Sequence, residues 1–384
     1  MAIERVRVRF RARPVDEYQV IVGAGTLAVC GTEARRCLNR EARRLALISN
    51  RKVFELYGAR VSESLRAADF RVEPFLMGDG ERYKNLNTLE KALAFLAAAG
   101  LERTDGVVAL GGGVVGDLAG LAAALHLRGL PFLQIPTTLL AQIDASVGGK
   151  TAVNTPTGKN TVGVFQQPRG VLIDVETLRT LSARELTAGW CEAVKHGAAG
   201  DRRLFDKTVA FLKSKSSGAA ARSDNRLAQL ISAHVAFKAA IVTGDEREDV
   251  SRTDYRSRRI LNFGHTTAHA LEAITEYRRF RHGEAVGYGM LVAGEISKKL
   301  GMLDSSELEL LREAIGLCGQ LPRADDLDPT RIISALASDK KSVGGSIKWV
   351  LLERLGRARI VDGRAVGVRS LLRASLRAAL QRTS

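Results

Sequence analysis

The sequence predicts an α/β domain over residues 1–176, followed by a mainly α-helical domain over residues 177–384. Short β-type runs alternate with helical stretches in the first half, which is typical of a parallel sheet with helices on both faces. Helical periodicity dominates the second half. The junction near residues 170–180 has no linker-like composition, so we expect the two halves to pack tightly around a shared cleft.

Apolar and β-branched runs predict the strands of the first domain, at Tyr18–Val22, Leu45–Ser49, Gly106–Leu110 and Phe132–Pro136. Helical periodicity lies between them, at Val53–Ala68 and Asn87–Ala99. The most apolar stretch, Val107 to Leu127, contains Asp117 and five glycines. It is too interrupted for a membrane span, and we interpret it as a strand, a glycine turn and a helix.

The second domain contains four strongly helical stretches and one late β-type run. The helices are predicted at Leu227–Val242, Thr266–Tyr277, Ala285–Leu300 and Ser305–Leu317, and the strand at Lys348–Leu352. The polar stretch Lys213–Ser217 predicts a surface loop.

Composition argues against several classes of protein. The net charge is +16, but no short run concentrates it and aromatic residues make up only 5%, so a nucleic-acid surface is not expected. The four cysteines form no CxxC pair and are typical of reduced thiols. Residues 5–10 alternate in the manner of a strand and not of a signal peptide. We therefore expect a cytoplasmic protein that binds no membrane.

The glycine turn Gly111–Asp117 follows a predicted strand and opens a predicted helix. Glycines allow close approach of the backbone to a ligand, and a helix N-terminus favours phosphate. The spacing is not GxGxxG, so a packing role remains an alternative to a nucleotide-binding role. Asp117 is either a ribose partner or an ordinary helix-face acid. On the first interpretation, the α/β domain binds a nucleotide.

A second polar segment, Asp144–Asn154, is followed closely by Gly158–Asn160. It lacks the spacing of an ATP-binding P-loop. Its lysines and asparagines among glycines suit an anionic substrate. A solvated loop is the alternative, but the apolar flanks at 135–140 and 162–165 favour an inward position.

Three of the six histidines, His265, His269 and His282, lie close together in sequence. His265 and His269 are four residues apart and project from one helix face. Histidine is a common zinc ligand, and catalytic zinc takes three protein ligands. Glu192, in a mostly apolar helix, is a candidate third ligand because a buried carboxylate requires a partner. The alternatives are surface histidines and a structural ion pair between Glu192 and Lys195.

Together these motifs resemble 3-dehydroquinate synthases. The resemblance rests on the ordered segments IPTTLLAQIDASVGGKTAVN, GKNTVGVFQQP, AGWCEAVKHG, DERE, RRILNFGHTTAHALE, HGEAVGYGM and SDKKSVGG, and spans residues 45 to 355. It implies a two-domain cyclase, commonly a homodimer, that uses NAD and Zn2+ or Co2+. The implied reaction converts 3-deoxy-D-arabino-heptulosonate 7-phosphate to 3-dehydroquinate and phosphate. Its steps would be transient oxidation, phosphate elimination, reduction and aldol closure.

The resemblance also implies residue roles. The metal ligands would be Glu192, His265 and His282. NAD would contact Asn50, Glu81, Lys84, Gly112, Gly113, Val114, Asp117, Thr137, Thr138, Lys159, Thr177 and Thr180. The substrate would contact Asp144, Lys150, Asn160, Lys238, Arg258, Asn262, His269 and Lys341 or its neighbour Lys340, and Arg128 of the partner subunit. Catalytic roles would fall to Lys150, Lys195, Lys238, Glu248 and His269, with Glu248 and His269 in proton transfer.

The segment between Glu248 and Arg258, residues 249–257, is longer than the connection that the family usually has there. Arg259 is therefore an alternative to Arg258 at the phosphate. Rival activities are an amino-dehydroquinate or valiolone-type cyclase, which shares the fold and cofactors, and a metal-dependent alcohol dehydrogenase with a similar layout. The lysine and asparagine segments favour the dehydroquinate reaction over both.

Overall fold

The computed structural model describes residues 17–214, 225–339, 347–366 and 369–381. The first half contains a six-stranded sheet in the order β1-β8-β5-β4-β2-β3, and its neighbouring strands are all parallel. The strands are β1 (Gln19–Gly23), β2 (Arg44–Asn50), β3 (Arg71–Met77), β4 (Gly106–Gly111), β5 (Phe132–Pro136) and β8 (Gly170–Asp174). The predicted α/β class is confirmed, and the strand expected at residues 5–10 lies outside the described residues.

The helices of this half are α1 (Cys30–Cys37), α2 (Arg51–Val53), α3 (Ala59–Ala67), α4 (Leu86–Ala98) and α5 (Gly113–Leu125). Two apolar clusters cover the two faces of the sheet. Strands β4, β5 and β8 are buried along their whole length, which explains their continuous apolar sequence. The helix predicted over Val53–Ala68 contains one π-helical turn at Phe54–Gly58, between α2 and α3.

A β-hairpin lies where the sequence predicted an anion-binding segment. Strand β6 (Lys150–Thr155) pairs antiparallel with β7 (Gly158–Phe165), and β6 packs on α5. Periodicity did not predict this hairpin because its polar and small residues do not alternate regularly with apolar ones. It brings Lys150, Lys159 and Asn160 into one small element.

The second half is mainly helical, as predicted. Its helices are α6 (Ala183–Gly200), α7 (Arg202–Lys213), α8 (Asn225–Gly244), α9 (His265–Ile274), α10 (His282–Lys299), α11 (Ser305–Cys318), α12 (Pro329–Asp339), α13 (Gly363–Val366) and α14 (Arg369–Leu380). A hairpin of β9 (Lys348–Arg354) and β10 (Arg357–Asp362) packs on α10. Lys213 ends α7 and does not begin a loop, whereas residues 215–217 lie outside the described residues.

The two halves share an apolar cluster. Leu139 and Ile143 of the first half meet Ala193 of α6 and Ile231 and Val235 of α8. By length and composition alone, α8 meets the criteria for a membrane span. Its buried face packs in this cluster, as expected for a core helix of a globular protein. The boundary predicted at residue 176/177 lies within a short 3-10 helix, Val175–Thr180, and stays a prediction.

Candidate active site

A cleft of about 880 Å³ lies between the carboxyl ends of the parallel strands and helices α6, α9 and α10. Ligands of open α/β sheets bind at this edge. The glycine turn, the hairpin β6–β7 and the three sequence-predicted metal ligands all contribute to its wall.

The glycine turn directs the N-terminus of α5 into the cleft. Gly112 is the residue before the helix, and a Cβ atom there would lie 3.0 Å from Thr138 Cγ2. A Cβ on Gly113 would lie 3.2 Å from the Ala145 side chain. These close approaches favour glycine at both positions. The first N–H groups of α5 have no partner within the helix and lie beside the cleft, which suits a phosphate. Val114, Asp117, Thr137 and Thr138 line the same wall.

A network of polar side chains connects this wall to the hairpin. Lys84 Nζ donates to Asp117 and, at 2.5 Å, to Asn160 Oδ1. Asn154 Nδ2 donates to Glu81 Oε1 at 2.7 Å, and Asn154 Oδ1 accepts the Asn160 N–H at 2.9 Å. Asn160 adopts left-handed backbone with φ 53°. Asn154 thus links Glu81 to Asn160, and Lys84 links Asn160 to Asp117. The sequence predicted Asn154 for an anionic substrate, whereas its side chain bonds other protein groups.

Asn50 and Thr180 also lie at the cleft, whereas the Thr177 side chain does not line it. Asn50 Nδ2 donates to Asp79 Oδ1 at 3.0 Å. Thr180 Oγ1 lies 2.6 Å from the Tyr57 hydroxyl. Thr177 is 1% exposed, and its hydroxyl donates to the Asp174 carbonyl. The Thr177 side chain is therefore structural, and only its carbonyl reaches toward Tyr57.

Glu192, His265 and His282 form a compact group, with one ligand atom of each within 4.8 Å of the others. Glu192 Oε1 lies 3.5 Å from His282 Nε2 and 4.0 Å from His265 Nε2, and the two nitrogens are 3.3 Å apart. His269 lies near the group, with its ring centre 5.6 Å from that of His265. Of the candidate ligands, the structure therefore groups Glu192, His265 and His282.

Two glycines of α10 allow this grouping. A Cβ on Gly283 would lie 1.9 Å from the Ala188 carbonyl oxygen of α6, and one on Gly289 would lie 1.9 Å from the Gly264 carbonyl oxygen. Gly264, with φ 81°, is the residue before α9. Helix α10 therefore contacts both neighbouring elements through backbone, which brings His282 to Glu192 and His265.

Glu284, next to these residues, has a structural role. It is fully buried, pairs with Arg184 at 2.5 Å and accepts the Arg281 N–H at 2.7 Å. These bonds hold the first turn of α10, which begins at His282.

The group fits a divalent metal. Glu192 is 1% exposed; its Oε2 lies 2.6 Å from Lys195 Nζ, yet neither carboxylate oxygen completes a hydrogen bond of good geometry within the described residues. The ion pair with Lys195, which the sequence left open as an alternative, is therefore present at Oε2, whereas Oε1 faces the two histidines. A buried carboxylate oxygen without a hydrogen bond favours a bound cation. Burial holds the pKa of His265 well below its usual value, whereas Glu272 and Glu192 outweigh burial and raise the pKa of His282. A metal ion would have to displace the proton from His282. Two histidines and one carboxylate suit zinc or cobalt.

A charged cluster lies beside the metal ligands. Asp144 accepts a hydrogen bond from Lys195 Nζ at 3.2 Å and another from Lys238 Nζ. Despite burial, Lys195 and Lys238 hold the pKa of Asp144 well below its usual value. Burial lowers the pKa of Lys238, whereas Asp144 and Glu192 outweigh burial and raise the pKa of Lys195.

Another part of the cleft wall holds three of the residues predicted for phosphate, Lys150, Arg258 and Asn262. Lys150 pairs with Glu248, which also accepts from Asn262 Nδ2 at 2.8 Å. Although burial opposes it, Lys150 lowers the pKa of Glu248. Arg258 is 3% exposed and lines the cleft, donating to the carbonyls of Glu246 at 2.6 Å and Gly148 at 2.9 Å.

The lengthened joint 249–257 does not displace Glu248 or Arg258 from this end. Asp245 accepts the backbone N–H groups of Asp249 and Arg258, each at 2.8 Å, and closes the segment into a loop. Arg259 instead donates to the Val250 carbonyl at the outer side of that loop. Of the two arginines, Arg258 therefore reaches the cleft.

Two predicted substrate residues are not part of this wall. Arg128 follows Leu127 in a turn where both have left-handed backbone, with φ 67° and 50°, and it does not line the cleft of its own chain. Lys341 and Lys340 lie outside the described residues.

Glu272, a buried carboxylate beside His282, was not predicted from the sequence. Its Oε1 accepts from Lys159 Nζ at 2.8 Å and lies 3.4 Å from His282 Nδ1. Burial opposes ionisation, but His282 and Lys159 lower the pKa of Glu272 to about 2. Its spacing of seven residues from His265, two helical turns, was the available signal.

Comparison with known families gives consistent results along the chain. Residues 74–188 match the family model for the 3-dehydroquinate synthase N-terminal domain, and residues 189–342 match that for the C-terminal domain. The 3-dehydroquinate synthase of Pelotomaculum thermopropionicum is 45% identical over 84% of this chain and 85% of its own. The 3-dehydroquinate synthase of Citrifermentans bemidjiense is 42% identical over 94% of this chain and 95% of its own.

A solved structure is similar over nearly the whole chain. It is the 2-epi-5-epi-valiolone synthase of Streptomyces hygroscopicus subsp. jinggangensis 5008 with NAD+ and Zn2+ bound. The TM-score is 0.84 and the identity is 28%, over 97% of this chain and 99% of that one.

Proposed function

This chain belongs to the 3-dehydroquinate synthase family, and we propose that its cleft converts 3-deoxy-D-arabino-heptulosonate 7-phosphate to 3-dehydroquinate and phosphate. One observation carries the proposal. A single cavity contains a glycine turn at a helix N-terminus, a buried Glu/His/His group and a cluster of lysine, arginine and asparagine side chains. The combination suits a dinucleotide, a divalent metal and an anionic substrate together.

The dinucleotide would bind along the carboxyl ends of β2, β4 and β5. Its phosphates would meet the N–H groups at Gly112, Gly113 and Val114. The polar network of Glu81, Lys84 and Asp117 is positioned for the ribose hydroxyls, with Asn50, Thr137, Thr138, Lys159 and Thr180 completing the wall. Thr177 would contribute through its backbone only.

The metal would be held by Glu192, His265 and His282. A bound Zn2+ or Co2+ supplies a Lewis acid for the substrate hydroxyl, and bound NAD supplies a transient hydride acceptor. The chain's own contribution is to hold Lys195 and Asp144 beside the same position. With Lys238, they would orient the substrate hydroxyls and carboxylate.

The substrate phosphate would bind at the end formed by Lys150, Asn160, Arg258, Asn262 and His269. Positioned cations and amides stabilise the charge of a departing phosphate and fix its geometry. Glu248 contacts both Lys150 and Asn262, so it can take or return a proton there, together with His269. Phosphate binding would release Lys150 from Glu248.

The same proposal extends to a homodimer in the cytoplasm, with no nucleic-acid or membrane partner. Arg128 does not line the cleft of its own chain, and apolar side chains are exposed near it in sequence at Leu125 and Leu127 and on β7 at Val162, Val164 and Phe165. A second copy covering this surface would bury them and bring Arg128 to the partner's phosphate end. Sedimentation of the purified chain tests this arrangement.

A sister cyclase activity is the alternative, because the solved valiolone synthase is similar over the whole chain. The relatives of higher identity are 3-dehydroquinate synthases, which favours the dehydroquinate reaction.

The deciding experiment is phosphate release from 3-deoxy-D-arabino-heptulosonate 7-phosphate with NAD and Zn2+, with absorbance followed at the NADH band. Equal amounts of phosphate and dehydroquinate without accumulating NADH are expected. Accumulating NADH would indicate a dehydrogenase. No reaction with this substrate, but turnover of another sugar phosphate, would indicate a sister cyclase.

A further inference from the structure

We propose that Glu272 is a positioning residue for the metal site: it holds His282 in the tautomer that can bind metal, and Lys159 balances its charge. This inference rests on the proposed function, because it takes Glu192, His265 and His282 as the metal ligands.

The helix geometry places Glu272 next to the ligands. Glu272 lies seven residues after His265 on α9, which is two turns along the same face. It is 2% exposed. Its Oε1 lies 3.4 Å from His282 Nδ1, the ring nitrogen that faces away from the other ligands.

The two nitrogens of His282 therefore have different partners. Nε2 lies 3.3 Å from His265 Nε2 and 3.5 Å from Glu192 Oε1. A nitrogen that binds metal must be unprotonated, so the ring proton has to be on Nδ1. A carboxylate oxygen at Nδ1 accepts that proton's hydrogen bond and makes this tautomer the favoured one.

Packing alone does not explain a carboxylate here. Burying an acid costs free energy, and Glu272 Oε2 has no hydrogen-bond partner within the described residues. Lys159 compensates the charge: its Nζ lies 2.8 Å from Oε1 and 4.7 Å from the centre of the Tyr277 ring, just past the end of α9. The position therefore retains a charge that a neutral side chain of similar volume would avoid.

The pair also connects two ligand sites. Lys159 belongs to β7 and precedes Asn160, whose side chain accepts from Lys84 in the dinucleotide wall. Glu272 thus anchors the hairpin on one side and His282 on the other. Loss of its charge should weaken metal binding directly and dinucleotide binding through Lys159.

The test is zinc affinity of the metal-free full chain, measured by competition with a chromogenic chelator, for the wild type, Glu272→Gln and Glu276→Gln. Outer-shell carboxylates typically contribute about 10–100-fold to metal affinity. We expect a loss of that size in Glu272→Gln and a shifted visible spectrum of its Co2+ form. The matched control, Glu276→Gln, changes an exposed acid four residues away and should leave both unchanged.

The variant Glu192→Gln distinguishes failure of the proposed metal site from failure of the proposed role of Glu272. If it binds zinc as tightly as the wild type, the group is not the metal site, and both the proposed function and this inference fail. If Glu192→Gln loses zinc but Glu272→Gln stays within twofold of the wild type with an unchanged cobalt spectrum, the inference alone fails.

A measurement on the wild type covers the case in which Glu272→Gln does not fold. Imidazole nitrogen NMR of the zinc-loaded protein, with His282 assigned through His282→Asn, should show the proton on Nδ1. A proton on Nε2 would overturn the inference.

Discussion

The proposed metal end of the cleft, at Glu192, His265 and His282, and the proposed phosphate end, at Lys150, Arg258 and Asn262, are built in different ways. At the metal end, Glu192 is 1% exposed, and α10 contacts its neighbours through backbone at Gly283 and Gly289. At the phosphate end, the Lys150 side chain is 49% exposed and its charge is held by Glu248, a residue of a loop. Packing fixes the first end, whereas ion pairs that a ligand can replace hold the second.

This difference predicts whether a substitution alters folding stability or catalytic kinetics. Closely packed interiors respond to added atoms with strain, so changes at the metal end should alter folding stability together with metal binding. Half-exposed ion pairs contribute little to stability. Changes at the phosphate end should therefore alter kinetics and leave folding nearly unchanged.

The largest expected effect is that of Gly289→Ala. The new Cβ would lie 1.9 Å from the Gly264 carbonyl oxygen, so α9 and α10 must separate. We expect the free energy of unfolding to fall by about 3 kcal/mol and zinc affinity to fall with it. Chemical denaturation and chelator competition measure both.

Gly316→Ala is the matched control for this change. No atom lies within 4 Å of its new Cβ on the exposed side of α11, so the protein should gain about 0.5–1 kcal/mol. Equal stability of the two variants would show that the metal end has more freedom than its packing indicates.

Next in size is Lys150→Met at the phosphate end. A hydrogen bond between charged groups contributes about 1.5–3 kcal/mol, so kcat/KM should fall about 10–100-fold. Unfolding free energy should change by less than about 1 kcal/mol. Phosphate-release kinetics and urea denaturation test this, with a variant at an exposed lysine, Lys298→Met, as control. A loss of stability equal to the loss of activity would contradict the view that this end contributes little to folding.

A third prediction concerns His234, a buried histidine near Asp144. Burial holds the pKa of His234 well below its usual value, so the folded protein keeps this ring neutral. Its contribution to stability is present above the unfolded pKa of about 6.5 and is lost as pH falls below it, by at most about 1.4 kcal/mol per unit.

His234→Gln should therefore lose less stability than the wild type between pH 7 and pH 5. Urea denaturation across that range measures the two slopes. Parallel curves would mean that His234 takes up no proton on unfolding.

The smallest expected effect is that of Glu248→Gln on binding of inorganic phosphate. Removing this charge frees Lys150, and a half-exposed pair is worth about 0.2–1 kcal/mol. Phosphate should bind up to about fivefold more tightly, while kcat falls because a proton-transfer group is lost. Calorimetric titration checks the affinity, and weaker phosphate binding would mean that Glu248 does not compete for Lys150.

Sequence reasoning predicted the elements whose pattern is regular. The strand at 132–136 and helix α8 agree closely with their predicted ranges, because buried strands and long helices have strong apolar signals. The helix predicted to reach Tyr277 ends at Ile274, because Glu276 and Tyr277 adopt left-handed backbone that periodicity does not reveal.

The site was predicted unevenly for a similar reason. Glu192, His265 and His282 stand out by residue type and come together in the structure. Asn154, Asp245 and Glu272 act through other protein groups, and only the fold reveals which groups those are. The choice between Arg258 and Arg259 likewise required the course of the loop 249–257.

Helix α6 carries both a proposed metal ligand, Glu192, and a lysine proposed to contact the substrate, Lys195, one helical turn apart. The separation of their backbone positions along the axis is about 4.5 Å and is set by helix geometry, which no loop alters. An engineered enzyme for a different sugar phosphate would therefore keep the relation between the metal and this lysine. Its specificity would have to be redesigned in the hairpin β6–β7 and in the loop 249–257, whose positions relative to the metal are not set by a single helix.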